Sequence, residues 1–270
     1  MPELPEVETT RRGLMPHVVG RRIGGAVVRN ASLRWPVPRD LDRKLRDRKV
    51  VDIRRRGKYL IFDLDKGHLL VHLGMSGRLT LVPRDSPARK HDHVDLALDG
   101  PRVLRFTDPR RFGAVLWVED PERHPLLKDL GMEPLEEGFS GAALHREARG
   151  RSVAVKNFLM NAGIVTGVGN IYASEALFRA GIHPGRSAGR ISPVRWDRLA
   201  QSVRATLESA LDSGGSTLRD FASAEGRPGY FQHRHAVYAR EGKPCRVCKT
   251  PIRALRQGQR STFYCPRCQR

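Results

Sequence analysis

Apolar and polar positions change rhythm once along the chain, near residue 150. Before that point, short β-branched runs cover residues 23–29, 49–54, 59–64, 69–73, 78–82, 94–98, 103–106 and 114–118, each cut off by turn residues. Runs of this length about ten residues apart, with no helical pattern between them, predict an antiparallel sandwich or barrel. Alternation in Val51-Asp52-Ile53-Arg54 and His93-Val94-Asp95-Leu96 predicts strands with one face in the core and the other in water. A helix over residues 5–14 opens the chain. Beyond residue 150 the period lengthens. Val155, Phe158 and Leu159 precede a glycine-rich break at Gly167-Val168-Gly169-Asn170, and Ile171, Ala173, Leu177 and Phe178 follow it. Leu199, Val203, Leu207 and Leu211 then recur every fourth residue after Ser192-Pro193, the signature of one helix face. The expected organisation is a β-rich domain (1–134), a Glu- and Gly-rich linker (135–150), a helical domain (151–236) and a cysteine-bearing tail (237–270).

Composition narrows the class of protein. The 270 residues carry 49 Lys+Arg against 29 Asp+Glu, a formal charge of +20, which points to a polyanionic partner. With 39% hydrophobic residues the chain is too apolar for a disordered basic tail, and with 29% charged residues too polar for a membrane protein. No apolar run reaches the roughly 18 residues of a spanning helix, and MPELPEVETT lacks the apolar stretch of a secretory leader, so the expected address is the cytoplasm. The charge is uneven: residues 1–134 hold 27 basic and 19 acidic side chains, residues 135–270 hold 22 and 10, and residues 240–270 alone hold nine basic and one acidic.

That basic tail also holds every cysteine. Cys245, Cys248, Cys265 and Cys268 form C-x2-C, sixteen residues, C-x2-C. Two such knuckles close a tetrahedral thiolate site whose usual occupant is one structural Zn2+, with an iron site or free thiols as alternatives. Four cysteine ligands leave no open position, so the metal would fold a hairpin and perform no chemistry of its own. Arg253, Arg256 and Arg260 would project from that hairpin toward nucleic acid.

At the other end, Met1 precedes a small residue, and its removal would expose the secondary amine of Pro2. An α-amine titrates near 7.7–8, so a useful fraction is neutral and nucleophilic at pH 7, and carboxylates follow at Glu3 and Glu6. Alone, such a start is an ordinary frayed terminus.

The order of segments changes that reading. Pro2-Glu3-Leu4-Pro5-Glu6-Val7-Glu8-Thr9, Arg56-Gly57-Lys58-Tyr59-Leu60, His72-Leu73-Gly74-Met75-Ser76-Gly77, Lys90-His91-Asp92-His93-Val94-Asp95, Asp108-Pro109-Arg110-Arg111-Phe112-Gly113, Gly167-Val168-Gly169-Asn170-Ile171-Tyr172-Ala173-Ser174-Glu175, Gly181-Ile182-His183-Pro184, Gly226-Arg227-Pro228-Gly229-Tyr230-Phe231 and the cysteines occur in this sequence. The chain resembles, over essentially its whole length, the bacterial formamidopyrimidine-DNA glycosylase family, which removes oxidised purines from DNA. The resemblance implies an α+β multidomain fold: an N-terminal β-sandwich with an opening helix, then a helix-two-turn-helix domain with a four-cysteine zinc finger. It also implies a monomer acting on duplex DNA.

It further implies roles for individual residues. Pro2 would attack the sugar and form an imine, with Glu3 as acid/base and Glu6 as a supporting carboxylate whose bland role is helix capping. Lys58, Asn170 and Arg260 would hold phosphates, and His91, Arg110, Arg151 and Lys156 would contribute to DNA binding, Lys156 in recognition of the oxidised purine. Met75, Arg110 and Phe112 would fill the void left by an extruded base; Gly74, Gly77 and Gly113 beside them suggest exposed turns. Residues 222–229 would form a loop over the extruded base. Asn157, Asn161 and Arg219 depart from the commonest family pattern, which bears on lesion preference and not on the chemistry at Pro2.

Two rivals remain at this point. The endonuclease VIII branch shares the Pro-Glu start and zinc finger but prefers oxidised pyrimidines, and the 108–112 segment argues against it. A non-catalytic zinc-ribbon DNA-binding protein would satisfy the charge and cysteines without accounting for Pro2-Glu3.

Overall fold

The computed structural model describes residues 2–214 and 235–270, so residues 222–229 and Arg219 lie outside the described residues. Among the described residues two compact units are formed, one by 2–128 with 213–214, the other by 129–212 with 235–270.

The first unit begins with α1 (Leu4–Val18), longer than the pattern predicted because its apolar face continues to Val18. After β1 (Arg22–Val28) and a short α2 (Leu41–Leu45) come β2 (Arg48–Arg56), β3 (Tyr59–Leu64), β4 (His68–His72), β5 (Arg78–Pro83), β6 (Asp92–Leu98), β7 (Arg102–Thr107) and β8 (Ala114–Val118). All pair antiparallel in the order β5-β7-β6-β1-β2-β3-β4-β8. β1 and β2 share only Arg22↔Lys49 and Ile23↔Arg48, so the sheet folds at that seam into two four-stranded layers, the expected sandwich. Val7, Leu14 and Val18 of α1 join Ile53, Leu60, Phe62, Leu69, Val71, Leu79, Leu96 and Phe106 in one buried core.

Two pattern expectations fail here. A register shift between Val50 and Asp52 buries Val50 completely and turns Val51 outward, 55% exposed; a bulge resets the alternation that sequence alone assumes to be unbroken. In β6, His93, Val94, Asp95 and Leu96 are all buried, so neither face is wet. Asp95 survives there because Arg105 of β7 binds it through Nε and Nη2, both at 2.9 Å, and Arg29 reaches it at 2.6 Å. Burial raises the carboxyl's pKa, but these guanidinium bonds outweigh it and the net shift is downward.

The second unit is helical: α3 (Gly141–Ala148), α4 (Val155–Leu159), α5 (Asn170–Ala180) and α6 (Pro193–Asp212), then the hairpin β9 (Arg253–Gln257) and β10 (Arg260–Tyr264). Residues 135–150, expected as a linker, carry α3, capped by the Ser140 hydroxyl accepting from Ala143 N at 3.1 Å. α6 begins at the expected Pro193 and buries Leu199, Val203 and Leu207. Glu175 of α5 is buried and accepts the backbone N–H groups of Ala236, Val237 and Tyr238 at 2.7–2.9 Å, fixing the chain that enters the hairpin.

Candidate active site and zinc centre

In the first unit, Pro2 and Glu3 are buried at the start of α1. Glu3 is the residue preceding the helix; its backbone N–H donates to Glu6 Oε2 at 2.8 Å and its carbonyl accepts the first helical bond from Val7. Glu6 thus caps the helix, and by doing so fixes the backbone that carries Glu3. Buried Glu8 (7% exposed) accepts from Arg11 and Arg12 and lies 3.3 Å from Arg55, whose Nη1 in turn donates to Gly57 O at 3.1 Å. The Pro-Glu start and the turn bearing Lys58 are therefore tied through one carboxylate and one guanidinium. Glu8 and Arg55 had no role assigned from sequence, although Glu8 stood inside the opening motif.

Strand register gathers the next residues. Arg56↔Tyr59 closes a two-residue hairpin turn of Gly57, at φ +56°, and Lys58. Tyr59 pairs with His72, and His72 with Ala114, so the Lys58 turn, the Met75 turn and the 108–113 loop all leave the same end of β3, β4 and β8. Arg110 is exposed, Met75 half-buried and Phe112 41% exposed, with the Arg110 guanidinium 5.2 Å from the Phe112 ring centroid. An apolar ring left in solvent beside a cation suits a surface built to receive a base pair. The neighbouring Gly74, Gly77 and Gly113, expected in exposed turns, are buried. A Cβ on Gly74 would sit 2.5 Å from Gly113 N, and one on Gly113 2.6 Å from His72 O; these glycines let the two loops touch backbone to backbone.

His72 carries an electrostatic mark of the same edge. Burial, then the charges of Lys58 and Arg34, push its pKa down to about 4, and its Nδ1 accepts the Gly74 N–H at 3.1 Å. His91 is half-buried, its ring 6.4 Å from that of His93.

In the second unit, Asn170 is the first residue of α5, behind Gly169. Lys156 is 1% exposed: its ammonium donates to Asn170 Oδ1 and Thr262 Oγ1, both at 2.6 Å, and to Ser261 O at 3.3 Å. Asn170 Nδ2 donates to Ser261 O at 3.1 Å. Enclosed in this way, Lys156 braces Asn170 against the hairpin. Arg260 is exposed at the start of β10, and Arg151 is exposed with Nε donating to Glu147 O at 2.6 Å. Asn161 makes a side-chain turn, Oδ1 accepting Gly163 N at 3.0 Å, a bond that an aspartate would make equally, so nothing in the structure explains the departure from the family pattern.

The four cysteines converge. Their Sγ atoms all lie within 4.8 Å of one another, Cys248 to Cys265 at 3.4 Å and Cys245 to Cys268 at 3.9 Å. A tetrahedron with Zn–S bonds of about 2.3 Å has edges near 3.8 Å, so the donor set fits one structural zinc.

A β-sandwich with a buried Pro-Glu start, joined in one chain to a helical unit and a four-cysteine zinc finger, is the build of a DNA-repair glycosylase. Three domain families match in order: the formamidopyrimidine-DNA glycosylase N-terminal domain over residues 1–115, the formamidopyrimidine-DNA glycosylase H2TH domain over 130–222, and a zinc finger found in FPG and IleRS over 242–270. The formamidopyrimidine-DNA glycosylase of Methylococcus capsulatus is 59% identical over the full length of both chains, and that of Burkholderia thailandensis 58%, again full length. Among solved structures, the MutM (Fpg) protein of Thermus thermophilus superposes with a TM-score of 0.89 at 41% identity, covering 99% of this chain and 98% of that one. Lactococcus lactis Fpg bound to Fapy-dG containing DNA gives 0.90 at 32% identity over 99% and 100%. The chain belongs to the formamidopyrimidine-DNA glycosylase family. It is a DNA base-excision repair glycosylase with one structural zinc, and no helix among the described residues is long and apolar enough to cross a membrane.

Proposed function

We propose that the Pro2 amine, freed by removal of Met1, attacks the anomeric carbon of an oxidised purine nucleotide, 8-oxoguanine or a formamidopyrimidine, in duplex DNA. The damaged base departs with the glycosidic electron pair. The amine proton is lost, Glu3 protonates the sugar ring oxygen, and the ring opens to leave a cationic iminium between the anomeric carbon and Pro2. The iminium acidifies the adjacent sugar C–H, so one phosphate leaves by β-elimination and the other by δ-elimination; water then releases the sugar fragment and the free amine. Glu6 holds the Glu3 backbone while this proceeds. Lys58, Asn170 and Arg260 grip phosphates, with Lys156 acting through Asn170, and His91 and Arg151 add to DNA binding. Met75, Arg110 and Phe112 occupy the void left in the stack, Arg110 facing the orphaned cytosine. The protein works as a monomer in the cytoplasm, at the nucleoid through its DNA.

The observation that carries this reading is the buried Pro2-Glu3 start whose backbone is fixed by Glu6. Borohydride reduction during turnover tests it: a covalent adduct should form with a duplex bearing 8-oxoguanine opposite cytosine, and retention of Met1 or blockage of the amine should abolish it while DNA binding persists. Trapping on an oxidised-pyrimidine duplex alone would reassign the substrate class. Lactococcus lactis Fpg, to which this chain is similar, has also been solved with an oxidized pyrimidine containing DNA. The absence of any adduct, even at an abasic site, would remove the imine mechanism.

A further inference from the structure

Ser76 and Asp108 carry no role in the reading above, yet they join the two loops that present Met75, Arg110 and Phe112. Ser76 is 2% exposed and Asp108 fully buried. The Ser76 hydroxyl donates to Asp108 Oδ1 at 2.7 Å and accepts the Arg110 backbone N–H at 3.2 Å, which also reaches Asp108 Oδ1 at 3.2 Å. The second oxygen, Oδ2, accepts Gly113 N at 2.8 Å, so one carboxylate brackets Arg110, Arg111 and Phe112 from both sides. Asp108 is itself anchored to the sandwich: its carbonyl bonds His93 Nε2 at 2.8 Å and its N–H donates to His91 O at 3.0 Å. Between the bracketed ends, Arg111 sits at φ +56°, a left-handed backbone that an arginine adopts only where the surroundings hold it there.

We infer that Ser76 and Asp108 are positioning residues that lock the Met75 turn and the 110–112 loop into a single rigid wedge, so that the three void-filling side chains enter DNA as a unit. The inference rests on the void-filling role proposed above. A wedge that must unstack a base pair loses effect if its parts yield separately, because insertion then orders each loop at its own entropic cost. The Ser76–Asp108 bond removes that freedom in advance, and the contact of Gly74 with Gly113 leaves no room for the loops to slide past one another.

Two measurements test the lock. In S76A, excision from an 8-oxoguanine:cytosine duplex should fall about tenfold, the effect of losing one buried hydrogen bond to a charged group. Borohydride trapping on a single strand with a preformed abasic site has no void to fill, and should change less than about twofold. The sharper test is a double-mutant cycle between M75A and R110A on the duplex. Coupling of about fivefold or more is expected with Ser76 present, vanishing in S76A and intermediate in S76C, whose thiol is a weak donor. A merely structural Ser76 would scale all variants equally and leave the coupling intact, which would overturn the lock. If M75A and R110A themselves leave duplex excision untouched, the void-filling role fails and the lock falls with it; if they impair excision but S76A preserves their coupling, the lock alone fails.

Discussion

At the loop edge of the sandwich, position is held by buried carboxylates that each bind several donors: Asp108 takes Ser76, Arg110 and Gly113, and Glu8 takes Arg11, Arg12 and Arg55. The zinc hairpin has no comparable interior. Its buried cluster is Val237, Cys245, Ile252 and Cys265, and along β9 and β10 only Thr262 is buried. The first region is ordered by hydrogen bonds over a full hydrophobic core, the second chiefly by its four-cysteine metal site. Geometry at the sandwich edge should therefore be independent of zinc, and grip at the hairpin should not be.

Metal removal gives the largest expected difference. Four thiolates on a structural zinc contribute on the order of 10 kcal/mol to local folding, far more than the hairpin's small cluster can supply. Chelation, or C265S, should unfold residues 240–270 and reduce DNA affinity sharply, while the unfolding transition of the sandwich stays where it was. Protease mapping with and without chelator, followed through thermal unfolding, reads both regions at once. Loss of the sandwich transition on chelation would break the contrast.

The next effect lies where the hairpin meets α5. K156A leaves Asn170 Oδ1 and Thr262 Oγ1 without the ammonium that binds both, and orphaned buried groups cost about 1–3 kcal/mol each. A stability loss of roughly 2–5 kcal/mol is expected in the second unit. DNA affinity should fall as far in K156A as in N170A, and no further in the double variant, because one residue acts through the other. Additive losses would mean that Lys156 contacts DNA on its own account.

How much of this was readable beforehand follows from the range over which each feature is decided. Eight strands, the Pro193 start of α6 and the cysteine pairs are written in local period or spacing, and all stand in the structure. Asp95 was expected in water because its partners, Arg29 just beyond β1 and Arg105 of β7, are distant in sequence, and alternation carries no record of them. Val51 was placed inward because a bulge is invisible to a period of two. Gly74 and Gly113 were correctly singled out but assigned to exposed turns, since close backbone approach and loop exposure leave the same glycine in a sequence. The cluster around Lys156 joins residues 156, 170, 261 and 262, a separation no motif spans.

Acidification separates the regions more gently. His72 has its pKa pushed down to about 4 by burial and by Lys58 and Arg34, against about 6.5 in an unfolded chain. Between these values the unfolded chain binds a proton that the folded chain refuses, so stability contributed at this site falls as pH drops from 6.5 toward 4. The full shift corresponds to about 3 kcal/mol, and partial exposure reduces it to roughly 1–2 kcal/mol. Protonation would also remove the Nδ1 acceptor of Gly74 N–H. The stability difference between wild type and H72Q, followed from pH 7 to 4.5, should shift in favour of H72Q; a flat difference would show that the sandwich edge does not resist the proton.

The smallest effect concerns single phosphate contacts, and it separates the two regions by a slope. Each phosphate neutralised by a protein cation releases condensed counterions, so the logarithm of affinity falls with the logarithm of salt by about 0.9 per contact. Arg260 is exposed on the metal-held hairpin and Lys58 is half-buried in a turn braced by Arg55. R260A and K58A should each lower that slope by about one. They should differ in what else they change: the Lys58 turn is tied through Arg55 and Glu8 to the Pro2-Glu3 helix, so K58A should also slow borohydride trapping at saturating DNA, whereas R260A should be restored by saturation. Equal recovery of both variants would place Lys58 with Arg260 as grip alone, and would separate the sandwich edge from the chemistry it is argued to serve.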